Sequence, residues 1–454
     1  MDSVALARLR EVCETLTDPV DLICYQFDAT HQNARPDAVL LPRSADEVAA
    51  VLRVANGWGF PVTPRGAGTG LAGGSVAVQG GAVLSLARLN RIIEIDRRNL
   101  LAVVEPGVVT ADLHRAAEDV GLFYPPDPAS ARASTIGGNL ATNAGGPRCF
   151  KYGVTRDYVL GLEVVLPTGE ILKTGGRTVK NVSGYDLTRL IVGSEGTLGV
   201  ITKATLRLVP RPEATGTLMA VFARLEDAGR AVEAIVAAGV VPCSLELMDQ
   251  ASLQVVENYL GLGLPVSAEA VLLVEVDGYH ETVQRQAEVA AHLCRENGAV
   301  EVKVASNEQE AADLWRARKA ISPALARIKP VKIGEDVAVP PALIPEFLRR
   351  FRYLRERFGL SAVVFGHAGD GNLHPNVVID PRNQAEVAQL GAWLEELARL
   401  ALDLGGTLSG EHGIGNMKAP YLEWEVGAVG MQTMRAIKRA LDPKGILNPG
   451  KLGL

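Results

Sequence analysis

The chain has 454 residues, enough for about two to three domains with sizeable cores. Its 46 basic and 52 acidic residues leave a formal charge of −6, which excludes a general basic footprint for nucleic acid. No apolar run reaches the ~18 residues of a membrane span, and Asp2, Arg8, Arg10 and Glu11 are out of place in a secretory signal. Five widely spaced cysteines without a CxxC pair exclude a disulfide framework and a cysteine-bound zinc or iron–sulfur centre. These features predict a cytoplasmic chain.

A helical N-terminal segment, residues 1–35, precedes a short strand at Val39–Leu41. Ser44 stands three residues before Glu47, so a capped helix is expected with Val48, Val51, Leu52 and Ala55 inward, ending near Gly57. Pro61–Arg65 reads as a strand, followed by β-rich runs at Val83–Leu86, Ile92–Ile95 and Leu101–Val104. Thr110 is expected to cap a helix carrying Leu113, Ala116, Ala117 and Val120 on one face. Strands at Leu162–Leu166 and Val200–Leu208 lead to the prolines near 212, where the main boundary is placed. Beyond it come Leu218–Phe222, Glu226–Ala238 and Ser244–Leu247, then Val271–Val276, Glu281–Glu296 and Val300–Val304. Two β–α–β units in tandem predict a ferredoxin-like antiparallel sheet with helices on one face. A helix from about 308 to 328, a strand at Asp336–Val339, a helix after Pro341, the segment Val363–Val378 and a helix over 383–404 complete the pattern. The expected division is therefore 1–35, 36–212, 213–405, and 406–454 packing back on the first domain.

The 47 glycines gather at 66–81, 137–146, 193–199, 366–371 and 405–415. Gly68-Thr-Gly70-Leu-Ala-Gly73 matches GxGxxG, but Gly74–Gly81 cannot open the helix that a dinucleotide site requires. Gly445–Lys451 resembles a P-loop yet continues with Leu452 in place of Ser or Thr. One such loop alone would be a tight turn. The three loops Pro64–Gly70, Gly137–Gly146 and Gly193–Gly199 together, with backbone N–H groups able to converge on an anion, favour a large phosphate-bearing cofactor.

The motifs PRGAGTGLAGGS (64–75), PDPAS (126–130), IGGNLATNAGG (136–146) and IVGSEGTLGVIT (191–202) resemble the vanillyl-alcohol-oxidase type of FAD domain. With GHAGDGNLHPNVV (366–378), SGEHGIG (409–415) and LDPKGILNPGK (441–451), the chain is similar to FAD-linked D-2-hydroxy acid dehydrogenases. That group holds the glycolate oxidase catalytic subunit, D-lactate dehydrogenase and D-2-hydroxyglutarate dehydrogenase. The resemblance implies an α+β fold, with a two-part FAD-binding domain and a ferredoxin-like substrate domain. It implies FAD contacts from Pro64, Arg65, Gly66, Ala67, Gly68, Thr69, Gly70, Ser75, Pro126, Asp127, Gly137, Gly138, Asn139, Thr142, Asn143, Gly145, Gly146 and Tyr152. The same holds for Glu195, Gly196, Gly199, Val200, Ile201, Asn448 and Lys451. No histidine lies in these loops, and Cys149 beside the second reads as a structural cysteine, so FAD is expected to bind non-covalently.

Of the seven histidines, His31, His114, His280 and His292 suggest no role. His367 and His374 flank Asp370-Gly371, a tight-turn signal that would set the two imidazoles opposite each other across a hairpin, suited to one metal ion. Glu411-His412 supplies a carboxylate and another imidazole. Two His and one Glu suit zinc, manganese or iron with positions open for substrate. The resemblance agrees, with His367, His374 and Glu411 as metal ligands and His412 as catalytic base. Oxidising a 2-hydroxy acid removes a hydroxyl proton and passes the α-hydrogen to flavin N5 as hydride. A chelating metal and a neutral histidine suit the first part, and a guanidinium suits the carboxylate. By match to the family, Arg318 binds carboxylate, Ser322 stands where relatives have Thr, and Asn376 touches substrate. Lys332, a further candidate, is out of step with the Lys of hydroxyglutarate-specific relatives, which leans the reading toward D-lactate or glycolate.

The electron acceptor would not be NAD. It would be an iron–sulfur subunit, a cytochrome, an electron-transfer flavoprotein or quinone, and any membrane association would come through such a partner. Two other classes are a flavin-binding accessory subunit without turnover and a metal-dependent hydrolase.

Overall fold

The computed structural model describes residues 1–30 and 32–454, so His31 lies outside the described residues. Two compact units account for the chain: residues 1–145, 154–211 and 411–454 form the first, and residues 146–153 and 212–410 the second.

In the first unit, α1 (Ser3–Val12) and α2 (Ala45–Trp58) bury Ala5, Leu9, Val48, Leu52 and Ala55 in one core with strands of a four-stranded sheet. Its strands are β1 (Glu14–Leu16), β2 (Ala38–Leu41), β3 (Val62–Arg65) and β4 (Ala82–Ser85), in the order β1-β2-β4-β3. Strands β2, β4 and β3 run parallel, as the helical crossover between β2 and β3 requires. Ser44 Oγ accepts from Glu47 N at 3.2 Å, and Glu47 Oε2 accepts from Arg43 N at 2.8 Å, so the reciprocal arm of the cap lands one residue early. A second, antiparallel sheet takes β5 (Ile92–Asp96), β6 (Leu101–Val104), β7 (Val159–Val165), β8 (Ile171–Gly175) and β9 (Val200–Arg207), ordered β5-β6-β9-β7-β8.

Two local expectations need correction here. Helix α3 (Thr110–Glu118) begins on Thr110, with Val109 at the cap position. The buried Thr110 hydroxyl instead hydrogen-bonds to the Ser134 carbonyl at 3.1 Å and accepts from Asn139 Nδ2 at 2.8 Å. The second glycine stretch is not all loop: Ile136–Thr142 is a short helix, α4, whose Ile136 and Leu140 are buried one turn apart, and Thr135 Oγ1 accepts from Gly138 N.

The second unit is built on one large antiparallel sheet. Strands β10 (Ala214–Phe222), β11 (Ser244–Asp249), β12 (Ala270–Gly278) and β13 (Ala299–Val304) take the order β13-β10-β12-β11 of a split β–α–β pair. Helices α5 (Leu225–Ala237) and α7 (His280–Glu296) cover one face. Helix α6 (Gln250–Leu260), unmarked in the periodicity, and α8 (Glu308–Leu325) cover the other, so helices lie on both faces and not one. The sheet alternation explains this: Leu245 and Leu247 point into one core, while Met248 joins the other. Strand β14 (Val331–Gly334), helix α9 (Ile344–Phe358), strands β15 (Ser361–His367) and β16 (Asn372–Ile379), and helix α10 (Gln384–Asp403) extend the unit.

The β15–β16 hairpin forms, with a register two residues from the expected one. Phe365 faces His374 and His367 faces Asn372, across the four-residue loop Ala368–Gly371. Gly371 has φ +79° and a Cβ there would lie 1.8 Å from the Val339 carbonyl oxygen, so the loop packs tightly against the chain beside it. A two-residue shift leaves each side chain on its original face, because the strand period is two. The first unit closes with α11 (Leu422–Leu441), broken at Gly427 and absent from the sequence expectations.

Candidate active site

The first unit contains a cleft walled by the three glycine-rich segments. Pro64, Arg65, Gly66, Ala67, Gly68, Thr69, Gly70 and Ser75 form one wall, and Gly137, Gly138, Asn139 and Thr142 a second. Glu195, Gly196, Gly199, Val200 and Ile201 form a third, and Glu411 and His412 also line the cleft. The glycines are sterically required. A Cβ on Gly66 would lie 2.3 Å from Thr135 Oγ1, and one on Gly68, at φ +73°, would lie 2.1 Å from the Arg65 guanidinium. Arg65 is itself buried, which lowers its pKa, and it donates to Ser75 Oγ at 3.3 Å. Pro106, Thr135 and Ser194 also line the cleft; Ser194 lies within the third glycine loop, Thr135 just precedes the second, and Pro106 is brought in only by packing against Gly137.

Other expected cofactor residues brace this cleft from behind. Asn448 Nδ2 donates to the carbonyls of Gly74, at 3.0 Å, and Glu195, at 2.6 Å. Lys451, fully buried, donates to the Val76 carbonyl at 2.7 Å, and burial lowers its pKa to about 8 against the pull of Asp28 and Glu195. The Glu195 carboxylate accepts from the backbone N–H groups of Ile414, at 2.7 Å, and Gly415, at 2.8 Å. It therefore fastens the loop that follows Glu411-His412 to the third glycine segment. Asn143, in a left-handed conformation, accepts from Arg156 N at 2.8 Å through Oδ1. The cleft is walled by Pro128, Ala129 and Ser130, downstream of the expected Pro126 and Asp127; the Pro126 carbonyl accepts from His114 Nε2 at 2.9 Å. Gly145 closes the first segment of this unit, whereas Gly146 and Tyr152 belong to the second unit, where the Tyr152 hydroxyl donates to Asp277 at 2.6 Å.

These walls fit a dinucleotide-sized phosphate-bearing group. Glycine backbones can close on a diphosphate, and Leu71, Ala72, Ile191 and Val200 offer apolar contact to rings. Asp28 Oδ2 and Asn448 Oδ1 are buried without a hydrogen-bond partner among the described residues. A polar ligand within reach would offset a penalty of about 1–3 kcal/mol for each.

The second unit gathers a polar cluster on the sheet face that α8 covers. His367 and His374 bring their Nε2 atoms to 3.3 Å, both rings being buried. Carboxylates stand behind both Nδ1 atoms: Glu246 Oε1 at 2.5 Å from His367, and Asp336 Oδ1 at 3.6 Å from His374. Asp336 also accepts from Asn372 Nδ2 at 2.6 Å and Ser409 Oγ at 2.7 Å. Imidazoles with carboxylates behind them and ring nitrogens converging in front form a donor set that fits a divalent metal. Arg318 Nε donates to Glu246 Oε2 at 2.5 Å, and its guanidinium lies 4.6 Å above the Phe365 ring. Burial alone would raise the Glu246 carboxyl; Arg318 and His367 overcome it and lower its pKa to about 2. One turn along α8, Ser322 accepts from Lys332 Nζ at 2.6 Å, and burial lowers the Lys332 pKa. Asn376 Nδ2 donates to the His374 carbonyl at 2.9 Å. The expected residues Arg318, Ser322, Lys332, His367, His374 and Asn376 thus fall in one unit. Glu246 and Asp336 were missed as site residues, since single acidic residues carry no spacing signal; the available clue for Glu246 was its place between Leu245 and Leu247 in a strand.

Residues 36–175 match the FAD binding domain family, and residues 211–452 match the family described as FAD linked oxidases, C-terminal domain. Fold and matches define a flavoprotein of vanillyl-alcohol-oxidase type. More particularly, the chain belongs to the FAD-linked oxidase family and is an FAD-dependent oxidoreductase, which removes the hydrolase reading. The glycolate oxidase subunit GlcD of Bacillus subtilis (strain 168) is 49% identical over 431 residues, covering 95% of this chain and 92% of that one. The D-lactate dehydrogenase of Archaeoglobus fulgidus is 41% identical over 434 residues, covering 94% and 95%. Among solved structures, p-cresol methylhydroxylase with substrate bound has a TM-score of 0.84 over 99% of this chain and 96% of its own, at 19% identity, a likeness of fold alone. No helix among the described residues is long and apolar enough to cross a membrane.

Proposed function

We propose that this chain oxidises a D-2-hydroxy acid, D-lactate or glycolate being favoured, to the 2-oxo acid. The observation that carries the reading is the buried His367–His374 pair, with carboxylates behind both rings and Arg318 on the same sheet face. The names of the glycolate oxidase and D-lactate dehydrogenase relatives support the substrate class. His367 and His374 would hold a divalent metal with Glu411 as third ligand, zinc being favoured and manganese or iron compatible. FAD would sit non-covalently in the cleft of the first unit.

When bound, the metal supplies Lewis acidity to the α-hydroxyl and FAD supplies the hydride acceptor. Arg318 holds the substrate carboxylate through its Nη groups, since Nε is engaged by Glu246. Ser322 and Asn376 add hydrogen bonds that orient the acid. A neutral His412 takes the hydroxyl proton on an imidazole nitrogen. Electrons leave to an acceptor other than NAD, of the iron–sulfur, cytochrome, electron-transfer flavoprotein or quinone class. The chain is proposed to be cytoplasmic, with any membrane contact made through that partner.

The deciding test is an anaerobic titration of the purified holoenzyme with D-lactate, glycolate and D-2-hydroxyglutarate, followed at the flavin absorption bands. Bleaching by D-lactate or glycolate is expected. A flavin left oxidised by all three would overturn the reading and favour the accessory-subunit role. D-2-hydroxyglutarate is the second reading, favoured by one observation: Lys332, bonded to Ser322 one turn from Arg318, gives this face a second cation for a second carboxylate. A kcat/KM highest for hydroxyglutarate would establish it.

Arg318→Lys tests the carboxylate anchor. Lysine cannot bond Glu246 and present a planar fork at once. Losing one charge-assisted bond, about 1.5–3 kcal/mol, should raise KM roughly 10- to 100-fold and lower kcat. Unchanged steady-state kinetics would leave Arg318 a partner of Glu246 and nothing more.

A further inference from the structure

Glu246 is a buried carboxylate that neither the glycine motifs nor the histidine motif includes. It lies on β11, directly opposite His367 in the strand register, with 1% exposure. Its two oxygens are divided between two functions. Oε1 meets His367 Nδ1 at 2.5 Å, and Oε2 accepts from Arg318 Nε at 2.5 Å. One rigid planar group therefore orients a proposed metal ligand and the proposed carboxylate anchor at once.

We infer that Glu246 is the positioning residue that couples metal binding to substrate binding. It does so by holding His367 as the Nδ1–H tautomer and Arg318 with its Nη edge turned outward. The inference rests on the proposed function above and deepens it. With Oε1 accepting from Nδ1–H, the lone pair of His367 is confined to Nε2, the atom that faces His374. With Oε2 accepting from Nε, the guanidinium plane is fixed over Phe365 and its two amino groups point elsewhere. A carboxylate can accept at both oxygens, whereas an amide accepts at one end and donates at the other. Glu246→Gln must therefore release either the histidine tautomer or the arginine, with almost no change of volume.

The experiment compares the wild type with Glu246→Gln and Glu246→Asp, each as the FAD-loaded holoenzyme stripped of metal with a chelator. Zinc affinity is read by competition with a chromophoric chelator, and D-lactate KM and kcat are read after reloading. Glu246→Gln is expected to lose 10- to 100-fold in zinc affinity and to raise KM, with FAD stoichiometry unchanged. Glu246→Asp, which keeps both acceptors, should recover part of each loss. Wild-type zinc affinity and KM in folded, flavin-loaded Glu246→Gln would overturn the inference while leaving the proposed reaction standing. Should Glu246→Gln fail to fold, ¹⁵N NMR of the imidazoles in the metal-stripped wild-type holoenzyme decides: an Nε2–H tautomer at His367 would overturn it equally. A wild-type protein that binds no zinc and turns over without metal would overturn both this inference and the metal-assisted reading.

Discussion

Replacing His367 with alanine should leave the flavin bound and abolish turnover. His367 lies in the second unit, whereas the glycine segments that fit FAD lie in the first, so the two losses should separate. Removing one of two buried imidazoles takes away the Nε2 atom that faces His374 and the closest hydrogen-bond partner of Glu246 Oε1. The metal's contribution to such a reaction is several kcal/mol, so kcat should fall on the order of 10³-fold or more. The flavin spectrum and the FAD-to-protein ratio should stay at wild-type values. A variant that kept near-normal kcat after chelation would show that the hydroxyl proton leaves without metal assistance, and His412 would have to act alone.

Gly66→Val should do the converse: deplete FAD and leave the histidine cluster intact. The space beside Gly66 is taken by Thr135 Oγ1, 2.3 Å from where a Cβ would stand. Thr135 in turn accepts from Gly138 N at the start of α4, so the new side chain must displace the hydroxyl that orders the second wall. Overpacking of about 1–3 kcal/mol together with loss of a cap worth about 1 kcal/mol gives roughly 30- to 1000-fold weaker FAD binding. Gel-filtered protein should emerge colourless and regain activity only with added FAD. It should also lose the part of its thermal stability that ligand occupancy supplies. A yellow variant of unchanged FAD affinity would remove this cleft as the diphosphate site.

Local regularities were legible where one physical rule acts over a few residues. Helix α2 follows from Ser44, Glu47 and the spacing of Val48, Val51, Leu52 and Ala55. The absence of a helix after Gly73 follows from the composition of Gly74–Gly81. The split β–α–β order of the second unit follows from two units in tandem. Helix α6 escaped because its buried residues, Ser252, Leu253 and Val256, are too few to make a stripe. Helix α11 escaped because Gly427 interrupts it.

The sequence by itself determined the side-chain chemistry of this protein. It supplied the backbone-lined glycine segments, two histidines whose parity in the hairpin puts them on one face, and an arginine one turn from a serine. Only the tertiary structure decided how these groups are held. The hairpin register is two residues from the turn-based expectation, with Gly371 in its loop packed against Val339. Glu195, which reads as a cofactor contact, spends its carboxylate on Ile414 and Gly415, more than 200 positions away. Glu246 joins His367 and Arg318 across separations of 121 and 72 residues. Periodicity reports on neighbours within a turn or a pleat, whereas a buried carboxylate finds its partners only when the chain has collapsed and water no longer competes for them.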